Sequence, residues 1–259
     1  MTTFAQLFRL FTLIAICMSC GDGGSSRSSR MAPPTASVSP GGFWSGVDSN
    51  GGDVNVIVTE TGKFYILTLE NQSQGSGALS VYGGNSVTGI FQLVTSFGFV
   101  FQDGTTLADC ALTGTVQERQ TMTVAVSCTT TAGLETQFTS TLNYDMTYDR
   151  DSSLATIAGN FQGVSEVFSI AGDGTVFAQN AVTGCVSNGQ VSIINESFNA
   201  YEVQYSFNNC LAQDSVLNGS AFSGIAVLDN SVSPEVLIIA ATGDVAGTLA
   251  SFIQRLDRI

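Results

Sequence analysis

The residues most able to react or to bind ligands in this 259-residue sequence are its cysteines and its acidic residues, because the chain contains no histidine. Without histidine there is neither the commonest general base nor a Ser-His-Asp or Cys-His nucleophile system, and most types of zinc site are excluded. The remaining chemistry belongs to carboxylates, which act as acids, bases and calcium ligands, and to thiols, which form disulfides or thioethers.

One group of oxygen ligands lies in the stretch DSNGGD, which contains Asp48, Asn50 and Asp53. Alternating oxygen side chains with glycine at a sharp turn are typical of loops that bind Ca²⁺. A complete calcium loop also needs a bidentate acid further along, and Glu60, the nearest one, lies at the wrong spacing. The sequence therefore favours a plain Asp/Asn/Gly turn over a calcium site, and it indicates no cofactor.

A second acidic group consists of Asp145, Asp149 and Asp151. Paired carboxylates hydrolyse glycosides without histidine, so a hydrolase that uses Asp145 and Asp149 is one interpretation of this group. Solvated carboxylates on an exposed segment are the other interpretation, and it is the one we favour. The sequence assigns no catalytic residue.

The N-terminal stretch MTTFAQLFRLFTLIAICMSC predicts export from the cytoplasm. Its apolar run, residues 10–18, would rise about 14 Å as a helix, which is too short for a hydrocarbon core of about 30 Å but typical of a signal peptide. Met18, Ser19 and Cys20 resemble the processing box of bacterial lipoproteins, although Cys17 stands where that box has leucine. An ordinary cleaved signal peptide and an uncleaved anchor are the alternatives.

The lipoprotein resemblance implies that residues 1–19 are removed and that the Cys20 thiol forms a thioether to diacylglycerol, with a further acyl chain such as palmitate on its amine. The lipid bilayer is then a partner of the protein through its acylated N-terminus. Residues 20–41 are rich in Gly, Ser and Pro, so we expect a flexible tether that reaches roughly 25 Å. Gly21 replaces the aspartate that retains lipoproteins of enteric bacteria in the inner membrane, which implies an outer-membrane location on its periplasmic or surface face.

The charge of the chain argues against nucleic acid as a partner. From residue 41 onward there are twenty acidic residues and five basic ones. A surface of this kind repels nucleic acids and anionic lipid headgroups. The acidic residues are scattered rather than grouped in runs, as is typical of a surface that keeps a protein soluble.

The elements expected to position these residues are β-strands. YEVQYSF at 201–207 and MTVAVSC at 122–128 alternate apolar and polar side chains, which is typical of an antiparallel sheet over a core. VNVIVTE and FYILTLE flank the turn at 61–63 and predict a hairpin. VLIIAA at 236–241 is apolar on both parities, which predicts a strand covered on both faces. TLASFIQRL at 248–256 fits either a closing strand or a short helix.

Two pairs of similar stretches, which we call echoes, divide the chain after residue 41 into two parts. GFWSG at 42–46 is echoed by GNFQG at 159–163, and DCALTGTV at 109–116 is echoed by GCVSNGQV at 184–191. We therefore predict an all-β protein of two tandem antiparallel β-modules, 42–150 and 158–259, each a small barrel or sandwich. The first module would carry about forty additional residues, around 71–96. Chance similarity of Gly-rich turns in one continuous barrel is the alternative.

The second echo, between the cysteine-containing stretches at 109–116 and 184–191, also predicts how the cysteines pair. With the first two cysteines assigned to the signal peptide and to lipid, an even set of four remains in an oxidising compartment. The echo pairs Cys110 with Cys128 and Cys185 with Cys210. By strict alternation Cys128 lies on the apolar face of its strand and Cys210 on the polar face. A bulge at residues 208–209, or a different pairing, would resolve this difference.

The stretches YDMTYDRDSSLATIAGNF, IAGDGTVFAQNAVTGC, NAYEVQYSFNNC and GSAFSGIAVLD resemble a pattern in uncharacterised secreted proteins and lipoproteins of Gram-negative bacteria. The resemblance implies compartment and β architecture, and no functional residues carry over from it. We expect a membrane-anchored envelope lipoprotein with a non-enzymatic binding or structural role, whose partner is a small ligand, a glycan or an envelope protein. An envelope-anchored carboxylate hydrolase is the alternative.

Overall fold

A computed structural model describes residues 38–68 and 72–259, which form two closed antiparallel β-barrels of eight strands each. The predicted signal peptide, Cys20 and all but residues 38–41 of the predicted tether lie outside the described residues. The prediction of an all-β protein with two tandem antiparallel modules is confirmed, and both modules are barrels. Within the described ranges, no helix combines the length and the hydropathy that crossing a membrane requires.

The first barrel has its strands in sequence order, each hydrogen-bonded to the next. Pairing of its first and last strands closes the barrel, with Trp44 opposite Tyr144. The strands are β1 Gly42–Asp48, β2 Asp53–Val58, β3 Lys63–Thr68, β4 Ser73–Tyr82, β5 Ser86–Thr95, β6 Leu107–Gln117, β7 Thr121–Thr130 and β8 Glu135–Asp145.

The second barrel repeats this up-and-down order and is closed by its last strand pairing with its first, Arg258 opposite Phe161. The segment TLASFIQRL, whose period did not decide between strand and helix, belongs to that closing strand. The strands are β9 Gly159–Gln162, β10 Glu166–Ile170, β11 Thr175–Asn180, β12 Val186–Ile193, β13 Tyr201–Asn208, β14 Ala221–Asp229, β15 Val236–Val245 and β16 Thr248–Arg258.

Two short helical segments join the barrels, a 3₁₀ turn at Met146–Asp149 and a single α-helical turn, α1, at Leu154–Ile157. Ser153 caps α1, because its hydroxyl oxygen accepts the Thr156 backbone N–H at 3.0 Å. A second 3₁₀ turn, Ala212–Leu217, lies between β13 and β14.

The strands with regular alternation behave as their sequences predict. In β13 the apolar residues Tyr201, Val203, Tyr205 and Phe207 are all buried inside the second barrel, whereas Gln204 is exposed. In β7 the four residues of one parity, from 122 to 128, are likewise buried in the first barrel. The predicted hairpin at 54–70 forms as β2 and β3, within the residues that the structure describes.

A strand with apolar residues on both of its faces lies where the two barrels pack together. In β15, Ile239 and Ala241 belong to the core of the second barrel, while Ala240 packs outward in a separate apolar cluster. That cluster joins it to Phe43 and Tyr65 of the first barrel. The both-faced burial expected for residues 236–241 is therefore confirmed, and its cause is the second barrel's outer wall packing on the first barrel.

The two sequence echoes differ in their structural meaning. GFWSG and GNFQG both lie on the first strand of their barrel and place Trp44 and Phe161 in the two cores. The cysteine echo does not match in this way, since it falls on the sixth and seventh strands of one barrel and around the fourth and fifth of the other. Residues 73–95 form β4 and β5, two regular barrel strands, so the expectation of about forty additional residues is wrong.

Candidate functional site

Both disulfides expected from the sequence are present, Cys110–Cys128 and Cys185–Cys210. The first joins directly opposed residues of β6 and β7 in the barrel core. The second closes one end of the other barrel. Cys210 lies beyond the end of β13, after Asn209 at φ 58°, so the chain has already turned and Cys210 is buried in spite of its parity.

The carboxylate of Asp48 caps the turn between β1 and β2. Its Oδ1 accepts the backbone N–H groups of Asn50, at 2.7 Å, and of Gly52, at 3.0 Å. Asp53 begins the next strand. Among the residues that the structure describes, no three Cys, Asp or Glu side chains are grouped so that they could hold a metal ion.

The second acidic group is divided among separate contacts. Asp145 caps the 3₁₀ turn by accepting the backbone N–H of Thr147 at 2.9 Å. Asp149 accepts the hydroxyl of Tyr144 at 2.9 Å and forms an ion pair with Arg119. Both carboxylates are therefore used to join the first barrel to the connecting segment, and Asp151 is exposed beside them.

A cavity of about 110 Å³ lies inside one end of the second barrel, next to the Cys185–Cys210 disulfide. Open ends of β-barrels are common places for ligand sites, which combine apolar walls with a few convergent polar groups. Four of the polar residues that line the cavity, Glu166, Asn180, Tyr205 and Gln254, form what we call the polar cluster. We call the space that they line the mouth cavity.

Each strand that contributes to the polar cluster has a polar residue on its inward face, at the same end of the barrel. Glu166 shares the inward parity of Phe168 on β10, and Asn180 shares that of Ala178 on β11. Gln254 stands on β16 on the same parity as the buried Leu256. Closure of the barrel then places residues almost ninety positions apart in one small space.

Gly189 sets how closely β12 passes Tyr205. The two residues are directly opposed in the β12–β13 ladder, and a Cβ added at Gly189 would lie only 2.7 Å from the Tyr205 Cβ. Glycine is therefore required at this position for the close approach of the strands.

The Glu166 carboxylate is held by two side-chain amides. Nε2 of Gln254 donates to its Oε1 at 2.9 Å, and Asn180 supplies a second side-chain hydrogen bond. The Asn180 amide is itself fixed, because its Oδ1 accepts the backbone N–H groups of Val182, at 2.9 Å, and Thr183, at 3.0 Å. Burial raises the pKa of Glu166, an effect that the hydrogen bond from Asn180 opposes.

Two buried polar atoms beside Glu166 have no hydrogen-bond partner within the described parts of the chain, the hydroxyl of Tyr205 and Oε1 of Gln254. Tyr205 is 4% exposed. Its burial, and secondarily the negative charge of Glu166, raise the pKa of its phenol, so the hydroxyl stays protonated and able to donate. Buried polar groups are nearly always paired, so a pair of unpaired ones facing a cavity points to a missing partner.

Aromatic rings form the walls of the mouth cavity, and one of them belongs to the first barrel. Phe207 packs against Phe252 with ring centroids 5.0 Å apart. Phe97, from the loop between β5 and β6, stacks on the other side of this group, 5.9 Å from Phe252. Its backbone N–H donates to the carbonyl of Ser251 at 2.9 Å. The cavity is therefore completed by both barrels.

No sequence pattern identifies this site. The alternation at 201–207 places Tyr205 correctly on an apolar face but does not indicate a site there, and no motif assigns a role to Glu166, Asn180 or Gln254. The available signal was a polar residue on the inward parity of a strand, as Glu166 is two residues before Phe168. That signal is weak, because the inward direction is known only once the barrel is known.

The fold and the mouth cavity define the class to which the chain belongs: all-β proteins of two tandem eight-stranded antiparallel barrels, here with a polar pocket in the second barrel. No protein-family model matches the chain, and no curated protein matches it either.

Proposed function

We propose that this protein is a membrane-anchored envelope lipoprotein that binds a small molecule in the mouth cavity of its second barrel. The observation that carries the proposal is the polar cluster: a half-buried carboxylate held by two amides, beside two unpaired polar atoms, at the edge of a cavity. The role is binding rather than catalysis.

The polar cluster destabilises the folded protein when no ligand is bound. Each buried polar group that has no partner within the protein costs about 1–3 kcal/mol. The first barrel shows that this chain can fill a barrel interior, since Trp44, Phe64, Phe91 and Leu112 are each 5% exposed or less. A ligand that pairs with Tyr205 and Gln254 and fills the cavity accounts for the difference between the two interiors.

The anchoring part of the proposal is supported by the sequence alone. Residues 1–19 have the length and apolarity of a signal peptide, and Cys20 ends a stretch that resembles a lipoprotein processing box. Acyl chains on Cys20 would hold the barrels beside the outer membrane through a tether of roughly 25 Å. The mouth cavity would then meet molecules of the periplasm or the cell surface.

Anchoring is tested by the intact mass of the protein extracted from membranes, measured before and after reduction. We expect a chain that begins at residue 20 with acyl chains attached, and reduction that adds two hydrogens for each of the two disulfides. Cys20→Ala should release the protein into the soluble fraction. A chain that begins elsewhere, or a wild-type protein that washes off membranes in plain buffer, would contradict the anchoring.

Binding is tested by screening small amines, alcohols and carboxylates against the mature protein with ligand-observed NMR. Ala178 lines the cavity, so Ala178→Leu should fill it and remove binding. Ala125→Leu, on the exposed face of β7, is the matched control and should leave binding unchanged. The proposal fails if no small molecule binds, or if binding survives in the Ala178→Leu protein.

A further inference from the structure

The charge of the mouth cavity has one sign. Two carboxylates line it, those of Glu166 on β10 and Asp214 in the 3₁₀ turn Ala212–Leu217, and none of the lining residues that the structure describes is Lys or Arg. Burial penalises an uncompensated carboxylate, and the two amides on Glu166 are neutral donors. The cavity therefore holds negative charge for which the protein supplies no counter-charge.

The two unpaired polar atoms add hydrogen-bond acceptors beside the Glu166 carboxylate. Gln254 directs its Nε2 to Glu166, which leaves Oε1 as its unpaired atom, and that oxygen only accepts. The hydroxyl of Tyr205 has lone pairs and stands in the field of Glu166. A carboxylate, an amide oxygen and a hydroxyl together can pair with the three N–H groups of a primary ammonium ion.

The walls of the cavity suit the same kind of ligand. Rings of four phenylalanines line it, with Tyr205 as a fifth aromatic ring: Phe97, Phe168, Phe207 and Phe252. Cations are attracted to aromatic faces within about 6 Å of the ring centre, and cages of such rings recognise ammonium ligands. The methylene groups of an alkylammonium ion also gain from contact with these apolar walls.

The volume of the cavity limits the ligand to a small one. An apolar cavity of about 150 Å³ holds benzene, with about six non-hydrogen atoms. The mouth cavity, at about 110 Å³, therefore encloses about four or five. A longer molecule can still insert an ammonium end and leave the rest outside the barrel.

We propose that the ligand of the mouth cavity is a small organic cation, bound through an ammonium group that pairs with Glu166, Tyr205 and Gln254 between the phenylalanine rings. The inference rests on the proposed binding function and names its ligand class. An anion would add to the negative charge, and a neutral alcohol would satisfy hydrogen bonds but leave the half-buried carboxylate of Glu166 without a counter-charge.

The test compares three probes of nearly equal size, butylammonium, 1-butanol and butyrate, by isothermal titration with the mature protein at pH 7. A salt concentration of roughly 0.15 M screens attraction of the cation to the acidic surface. We expect butylammonium to bind, 1-butanol to bind at least about tenfold more weakly, and butyrate not to bind. Glu166→Gln should weaken butylammonium at least about tenfold, because it removes a charge-assisted hydrogen bond.

Asp257→Asn removes the same charge from an exposed position of β16 and should leave all affinities unchanged. Tyr205→Phe keeps the ring and removes the hydroxyl, so it gives a second test if Glu166→Gln does not fold; it should weaken butylammonium several-fold. Binding of 1-butanol or butyrate as tight as that of butylammonium overturns the cation inference and leaves the binding function standing. Binding of none of the three overturns the inference, and failure of the wider screen as well removes the binding function.

Discussion

Phe97 of the first barrel stacks on Phe252 of the second, with ring centroids 5.9 Å apart and ring planes 18° from parallel. The backbone beside this pair is joined as well, because Ser96 forms a parallel bridge with Ser251. A loop of one barrel is thus a wall of the cavity in the other. Packing between the barrels and the shape of the mouth cavity are therefore linked.

Phe97→Ala removes that wall without touching the polar cluster. We expect it to weaken ligand binding several-fold and to lower the free energy of unfolding by at least about 1 kcal/mol, since an aromatic pair contributes about that much beyond its buried area. Calorimetric titration and denaturant unfolding measure the two effects. Phe99→Ala is the matched control, since Phe99 lies on the same loop, is 52% exposed and does not line the cavity. Equal effects of the two substitutions on binding would contradict the role of Phe97.

The contact between the barrels should not tolerate a charge. Ala240 is fully buried on the outer face of β15, in the cluster that includes Phe43 and Tyr65. Ala240→Asp places an unpaired carboxylate there, and we expect a loss of about 3 kcal/mol or more in the free energy of unfolding. Ala125→Asp, on an exposed outer face, should change it by less than about 0.5 kcal/mol. A small effect at Ala240 would mean that the two barrels do not pack as described.

Stability should depend on pH through Glu166. Its native pKa is raised above the ordinary value of 4.5, so the folded protein holds the proton more tightly than the unfolded chain does. The free energy of unfolding must then fall as the pH rises from near 4.5 through the native pKa. Glu166→Gln removes this titration and should leave the protein more stable than wild type at pH 7, on the order of 1 kcal/mol.

Denaturant unfolding at several pH values measures this difference, with Asp257→Asn as the control that should show none of it. A Glu166→Gln protein that is less stable than wild type at pH 7 and more stable near pH 4 would show that the carboxylate serves the fold. That result would remove the energetic argument for a binding site at this position.

The two disulfides should be alike in stability and different in function. Each closes a loop of comparable length, with sequence separations of 18 and 25, and chain entropy gives about 3 kcal/mol for either. Cys185 lines the mouth cavity, whereas Cys110 lies in the core of the other barrel. Replacing both cysteines of a pair by alanine should therefore weaken ligand binding only for Cys185–Cys210. Equal losses of affinity in the two double variants would contradict this separation.

The sequence predicted those strands in which one face is buried in the core and the other is exposed to solvent. The alternation in β7 and β13 was clear because their outer faces meet water. The hydrophobic period of β16 does not distinguish a strand from a helix, because polar residues of this strand are found on its buried outer face and on its inward face. Ser251 is polar but fully buried against the first barrel, and Gln254 is polar but faces inward, into the mouth cavity.

The candidate site could not be predicted in the same way. Its residues come from strands β10, β11, β13 and β16, and only closure of the barrel brings them together. The acidic groups that the sequence did single out are used in turns and in an ion pair. Carboxylates close in sequence cap local structure here, whereas Glu166, the carboxylate of the polar cluster, is the only acidic residue in its strand.

The most direct measurement is the NMR spectrum of the side-chain amides of Asn180 and Gln254 during a titration with butylammonium. These two amides donate to Glu166, so a ligand on that carboxylate must change their surroundings. We predict saturable shifts at both, with no shift at the exposed Gln92 and Gln137 of the first barrel. Unchanged signals from Asn180 and Gln254, or shifts of similar size at all four amides, would contradict binding in the mouth cavity.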